Sequence, residues 1–142
     1  MQLSVHLVVP DASEAAAWYA QAFGAKERSR VPLPGGTVMV VEVDFGGAVV
    51  HVGSEFPDAG IVSPLTIGGT ATVLQIHTHD ARVLWDRAIN AGAVARHDLS
   101  DTFWGELHGQ LVDPFGHRWN IAQKVRDVPP AEVAASAAQI FG

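Results

Sequence analysis

Hydrophobic and polar positions run through the same order twice in this chain, 69 residues apart. Residues 3–9 form a short apolar run and residues 71–78 repeat it, each predicting a strand. Asp11-Ala12 and Asp80-Ala81 come next, and each aspartate is placed to cap a helix. Glu14, three residues beyond Asp11, adds a box-like element to the first cap. The alanine-rich stretch 15–23 carries Trp18, Tyr19 and Phe23 at core spacing and predicts a helix closed by Gly24. A second helix runs from Asp80 through about Ala91, holds Trp85 and ends at Gly92. Gly24-Ala25 and Gly92-Ala93 stand 68 apart, so the second helix reads one residue shorter.

Three β-rich runs follow each helix. They cover residues 26–33, 37–45 and 48–54 in the first copy, and 93–99, 106–112 and 117–123 in the second. Pro34-Gly35-Gly36, Gly46-Gly47 and Asp113-Pro114-Phe115-Gly116 supply turns. Val43-Asp44 and Gly47 recur as Val112-Asp113 and Gly116. A repeat this long is a duplicated βαβββ module, not a solenoid period. The predicted fold class is therefore α+β: two tandem βαβββ modules whose curved mixed sheets enclose a cup, plus a C-terminal helix. Module 1 covers residues 2–54, a Pro- and Gly-rich linker 55–70, module 2 71–123 and the terminal helix 129–141, opened by Pro129-Pro130. All of it makes one domain.

Strand residues alternate faces, so Val5, Leu7 and Val9 are expected to pack on the first helix, with Ser4, His6 and Val8 opposite. Leu74, Ile76 and Thr78 then pack inward in the second copy, leaving Val73, Gln75 and His77 opposite. Polar side chains share one phase in both copies, as two sheets facing a wet pocket require. Trp119 falls on the helix side, away from that pocket.

Composition narrows the function. With 9 Lys and Arg against 15 Asp and Glu, the formal charge of −6 argues against nucleic acid. There is no cysteine, which excludes disulfides, thiolate metal sites and cysteine nucleophiles. The long uncharged stretch 60–78 is broken by Pro64, Gly68 and Gly69 and will not span a bilayer. The first residues lack the basic and long apolar regions of a signal peptide, so a cytoplasmic protein is expected.

The run Val112-Asp113-Pro114-Phe115-Gly116-His117, with Asp11, Trp18-Tyr19 and Phe23-Gly24-Ala25, resembles the vicinal oxygen chelate superfamily: glyoxalase I, extradiol dioxygenases, fosfomycin resistance enzymes and bleomycin-resistance proteins. Phe103-Trp104-Gly105 and the Pro129-Pro130 tail are similar to its PhnB-like branch. The resemblance implies a homodimer, often with a pocket built from two subunits. It also implies four metal-ligand points on the first, fourth, fifth and eighth strands. Here they fall on Ser4, His51, Val73 and Asn120, and the 69-residue repeat carries the first two onto the last two. Valine cannot ligate, and one imidazole does not hold a catalytic ion. No metal or other cofactor is expected.

The candidate ligand-binding residues are His6, His51, Gln75, His77, Phe103, Trp104 and Asn120. Phe103 and Trp104 sit in a Gly-bounded loop where no core periodicity demands them, so they suit stacking on a planar ligand or packing in a dimer. Phe56 carries the same two readings. His79 belongs at the start of the second helix, and His97, His108 and His117 at the surface or in turns. Asp113 and Asp44 read as turn residues bonding backbone amides. Glu42 and Glu55 could serve as bases. Ser4 and His6 share a face, but no third group completes a catalytic triad.

These residues favour a protein that holds a small, partly aromatic or amphipathic molecule without chemistry, with no nucleic-acid or membrane partner; the resemblance implies the antibiotic-sequestering type. The alternative is a lyase, isomerase or dioxygenase-type enzyme, using either a displaced metal on His6, His51 and His77 or metal-free histidine acid–base chemistry. A purely structural role is the third.

Overall fold

The computed structural model describes residues 1–142. The first module comprises β1 (Val5–Val9), α1 (Ala12–Phe23), β2 (Lys26–Pro32), β3 (Val38–Asp44) and β4 (Val49–Ser54). The linker is not bare coil: it forms a 3-10 turn at Pro57–Ala59 and a one-turn helix α2 (Pro64–Ile67). The second module repeats the order with β5 (Val73–His77), α3 (Ala81–Asn90), β6 (Val94–Asp101), β7 (Glu106–Val112) and β8 (Arg118–Lys124). Helix α4 (Pro130–Phe141) follows, buries none of its residues and leaves Ile140 and Phe141 exposed.

The caps explain where the helices start. Asp11 Oδ1 accepts the Glu14 N–H, and Asp80 Oδ1 accepts the Val83 N–H. Gly24, at φ 71°, closes α1 in the left-handed region. Helix α3 has 10 residues against 12 in α1, two fewer rather than the one the Gly-Ala spacing implies. It ends on Ala91 in ordinary helical geometry, and Gly92 takes the positive φ.

Each module makes a four-stranded mixed sheet, ordered β1-β4-β3-β2 and β5-β8-β7-β6. The edge pairs β1–β4 and β5–β8 are parallel and the rest antiparallel. Leu7, Val9, Val41, Val43, Val50 and Val52 turn to the helix side and are buried, as are Leu111, Trp119 and Ile121. Val5, expected inside, begins its strand at 39% exposure.

The modules meet through their helices. Arg87 of α3 donates to the carbonyls of Gln21 and Ala20, near the C-terminal end of α1, where a cation also faces the helix dipole. Trp18 Nε1 donates to the Ala91 carbonyl at 2.8 Å. Trp18, Tyr19, Phe23, Phe45, Phe115 and Trp119 interlock at ring separations of 5.0–6.3 Å, so one core joins both copies. No helix is long and apolar enough to cross a membrane.

At the centre of this core, Tyr19 donates its hydroxyl to Asp113 Oδ2 at 2.6 Å. Burial first, then the Asp113 carboxylate, pushes the Tyr19 hydroxyl well above its ordinary value. The unfolded chain gives up this proton near pH 10, about where a free tyrosine does, while the folded chain keeps it. The associated stability is complete below pH 10 and falls as pH rises beyond it. Tyr19 is the only tyrosine, so tyrosinate absorbance should appear together with loss of helical circular dichroism, not before it. A Tyr19→Phe variant should lose this alkaline slope.

Candidate functional site

Register, more than alternation, builds the site. On the face of the first sheet away from α1, Ser29, Glu42, His51 and His6 are successive cross-strand neighbours on β2, β3, β4 and β1. On the second sheet the equivalent row is His97, Gln110, Asn120 and Gln75 on β6, β7, β8 and β5. Each module thus carries one polar rung across its whole open face.

In the first rung the His6 and His51 rings stack at 4.4 Å, within 4° of parallel. Glu42 Oε1 lies 3.8 Å from His51 Nδ1, and Ser29 donates to Glu42 Oε2. Beside the histidines a cavity of about 300 Å³ opens among Val8, Met39, Val40, Phe56 and Ile61. Its walls are apolar and its polar end is the histidine pair, the usual composition of a small-molecule site.

The second rung is a directed hydrogen-bond chain. Arg118 Nε and Nη2 donate to Gln110 Oε1 at 3.1 and 2.9 Å. That leaves the Gln110 amide group to donate to Asn120 Oδ1 at 2.9 Å, and Asn120 Nδ2 to donate to Gln75 Oε1 at 3.3 Å. Gln75 Nε2 then stands 3.4 Å from His77 Nε2, which brings the histidine ring into the chain. Nδ1 lies 3.9 Å from Glu106, whose other oxygen accepts the Trp104 indole N–H at 2.6 Å. The guanidinium at one end orients every amide between it and Trp104. His108 faces Trp104 edge-on at 5.4 Å, and burial lowers its pKa below the ordinary histidine value.

The expected site residues therefore fall into two groups within one chain. His6 and His51 lie on the first sheet; Gln75, His77 and Asn120 lie on the second, and Trp104 lies in the turn between its β6 and β7. Each of the five main cavities draws on the rung of one sheet at most, and the α1–α3 contact joins the modules through their helices. Phe103 packs edge-on against Trp104 at 4.9 Å. Trp104 is 39% exposed and borders a cavity with His77, Lys124 and Val128.

Several assignments change. Glu55 is a cap, not a base: its Oε1 accepts the Ser63 N–H and the Thr66 hydroxyl at the start of α2, and these bonds lower its pKa. His117 is buried, with Nε2 2.8 Å from the Val8 carbonyl, and so ties β8 to β1. His108 lies on the open face of β7, half-buried beside Trp104. Asp44 does bond a turn amide, that of Gly46. Glu42, Glu106, Gln110 and Arg118 join the site; alternation alone could not fix the phase of β3 and β7, but the Glu42–His51 and Gln110–Asn120 pairings do.

The donor set decides the fit of the superfamily's metal. Val73 offers no donor atom, Ser4 is exposed ahead of β1, and Asn120 spends both amide ends on Gln110 and Gln75. Only His51 of the four could ligate, and its ring is stacked on His6. These residues do not fit a divalent ion. The displaced alternative fares no better within one chain, because His77 stands on the other sheet from His6 and His51, and no three His, Asp or Glu side chains gather.

Two βαβββ modules, each with a four-stranded mixed sheet, make a fold of the glyoxalase class. Residues 2–121 match the Glyoxalase/Bleomycin resistance protein/Dioxygenase superfamily, and the chain belongs to it. An uncharacterized protein of Mycobacterium tuberculosis is 36% identical over 137 residues, spanning 94% of this chain and 81% of that protein. Among solved structures, TioX from Micromonospora is similar at TM-score 0.70 and 25% identity, over 88% of this chain and 99% of the other. TnmS3, an antibiotic binding protein from Streptomyces, shares the fold at TM-score 0.61 and 19% identity, over 87% and 97%.

Proposed function

We propose that this chain is a homodimeric small-molecule-binding protein that works without a metal ion, the first sheet of one subunit facing the second sheet of its partner. The observation that carries the reading is the pair of rungs: one with stacked histidines at the end of an apolar cavity, the other a chain of hydrogen-bonded amides. The fold shared with the antibiotic-binding TnmS3 supports a ligand of that kind, partly aromatic or amphipathic, held by sequestration. Trp104, locked by Glu106 and His108, is a fixed surface for a planar ring. His6, His51, Gln75, His77 and Asn120 supply polar anchors, and Phe103 backs Trp104.

The test combines three measurements. Sedimentation should give twice the chain mass of 15.1 kDa. Ni, Mn, Zn and Fe should shift the melting temperature by less than about 1 °C, because only an ion that binds the folded state stabilises it. Titration of aromatic antibiotics against tryptophan fluorescence should find a ligand whose affinity drops about ten-fold in Trp104→Ala, in line with the loss of a stacked ring. One tightly bound ion per chain, lost in His51→Ala, would overturn the metal-free reading.

A second reading has one observation in its favour. Glu42 beside His51 is the pairing by which a carboxylate orients a histidine base, so metal-free acid–base catalysis would centre there. Chemical turnover of a bound ligand, abolished in Glu42→Gln, would select it.

A further inference from the structure

A cavity of about 470 Å³ lies between the end of the linker and the second sheet, bordered by Gly68, Gly69, Thr70, Val112, Arg96 and Arg118. Its charges are unusual for this protein. Five of the nine basic side chains, Arg28, Arg30, Arg82, Lys124 and Arg126, pair with carboxylates. Arg87 is spent on the α1 carbonyls. Of the remaining three, Lys26, Arg96 and Arg118, two border this one cavity. A chain of net charge −6 has carboxylates to spare, yet none pairs with these two guanidiniums.

Arg118 is held ready. Its Nε and Nη2 grip Gln110 Oε1, and Nη1 donates to the Thr70 carbonyl at 3.3 Å. Three of the five N–H bonds of a guanidinium are used, which leaves two. The side chain is therefore fixed by neutral acceptors while its charge stays uncompensated, the state in which a charge-assisted bond to an anion gains most. It is also well placed. Arg118 is the strand neighbour of Val73 across β8 and β5, the position to which the superfamily's third metal ligand maps.

We propose that this cavity is an acid-binding subsite, in which Arg96 and Arg118 receive a carboxylate, sulfonate or phosphate group of the molecule held on the open face of the second sheet. The subsite rests on the small-molecule reading above and names the chemical class of its ligand: an apolar or aromatic body with one acidic group. The anion meets the guanidinium at one end of the Gln110–Asn120–Gln75 chain, which continues from it towards Trp104.

The test compares two dyes of similar shape, anionic 8-anilinonaphthalene-1-sulfonate and neutral N-phenyl-1-naphthylamine, by fluorescence titration. Arg96→Ala and Arg118→Gln should each weaken the sulfonate at least about five-fold and the neutral dye less than about two-fold, as loss of a charge-assisted bond requires. Arg118 also holds Gln110, so that variant could disturb the rung. Arg96 is exposed and makes no such bond, and Arg96→Ala keeps the test decisive. Unchanged sulfonate affinity in Arg96→Ala overturns the subsite alone. Failure of both dyes to bind the wild-type protein overturns the subsite and the small-molecule reading together.

Discussion

Replacing Asp113 with alanine is expected to cost about 4 kcal/mol of folding stability, from the loss of acceptors for buried donors. The carboxylate is buried and accepts four hydrogen bonds. Oδ2 takes the Tyr19 hydroxyl at 2.6 Å and the Trp119 indole N–H at 2.8 Å; Oδ1 takes the backbone amides of Phe115 and His117 at 2.9 and 3.0 Å. Two of these donors come from the aromatic cluster that joins the modules, and two from the turn between β7 and β8. Alanine leaves all four without their partner in a place water does not reach, and an unsatisfied buried donor costs about 1–3 kcal/mol. Asparagine separates the contributions. Its oxygen can serve one side and its amide the other, and the Tyr19 hydroxyl can rotate to accept, but the Trp119 N–H can only donate. Asp113→Asn should therefore cost about half as much as Asp113→Ala. Urea unfolding measures both, and a loss below about 1 kcal/mol for the alanine variant would show that the modules are held together elsewhere.

The same residue shows what the sequence could and could not disclose. Read as a turn residue bonding amides, Asp113 was legible from Asp-Pro-Phe-Gly alone. Its second oxygen was not, because Tyr19 lies 94 residues away and meets it only when α1 packs against the other module. The repeat disclosed the element order and the helix caps. Strand alternation placed His6, His51, Gln75 and Asn120 on one phase, and the structure puts them on corresponding rungs. Alternation says which face a residue takes but not which residue stands next to it on the neighbouring strand. Gln110 therefore emerged only with the β7–β8 register, and Glu42, a candidate base in the sequence, found its place beside His51 only with the β3–β4 register. Nor does a duplicated module say how its copies dock. That docking rests on contacts between distant residues: Arg87 caps α1 and Trp18 bonds Ala91, which brings the helical sides together. His117 misled for a related reason: a turn motif marks its backbone, while its ring is drawn inside by the Val8 carbonyl.

Gly109 should prove nearly as sensitive as Asp113, with Gly109→Ala expected to cost about 2–3 kcal/mol, the range of an overpacked core. It sits on β7 between His108 and Gln110, on the side that faces α3. The β6–β7 register shifts between the His97–Gln110 and Ser100–His108 pairs, so Asp98 and Leu99 together oppose this one glycine, the geometry of a β-bulge. A Cβ here would stand 2.8 Å from Trp85 Cζ3 and 2.9 Å from the Leu99 Cα and N. The tryptophan could tilt, but the Leu99 backbone moves only if β6 leaves β7. That predicts a specific non-additivity. Trp85→Leu placed on Gly109→Ala should recover less than half of the loss, because two of the three close contacts are backbone and remain. Since β7 also carries Glu106, His108 and Gln110 on its other side, the alanine variant should weaken binding to the second sheet while leaving the stacked His6–His51 pair of the first unaffected. Histidine proton resonances separate these outcomes: shifts at His108 and His97 with His6 and His51 unmoved are expected, and full stability in Gly109→Ala would mean that the bulge relaxes without cost.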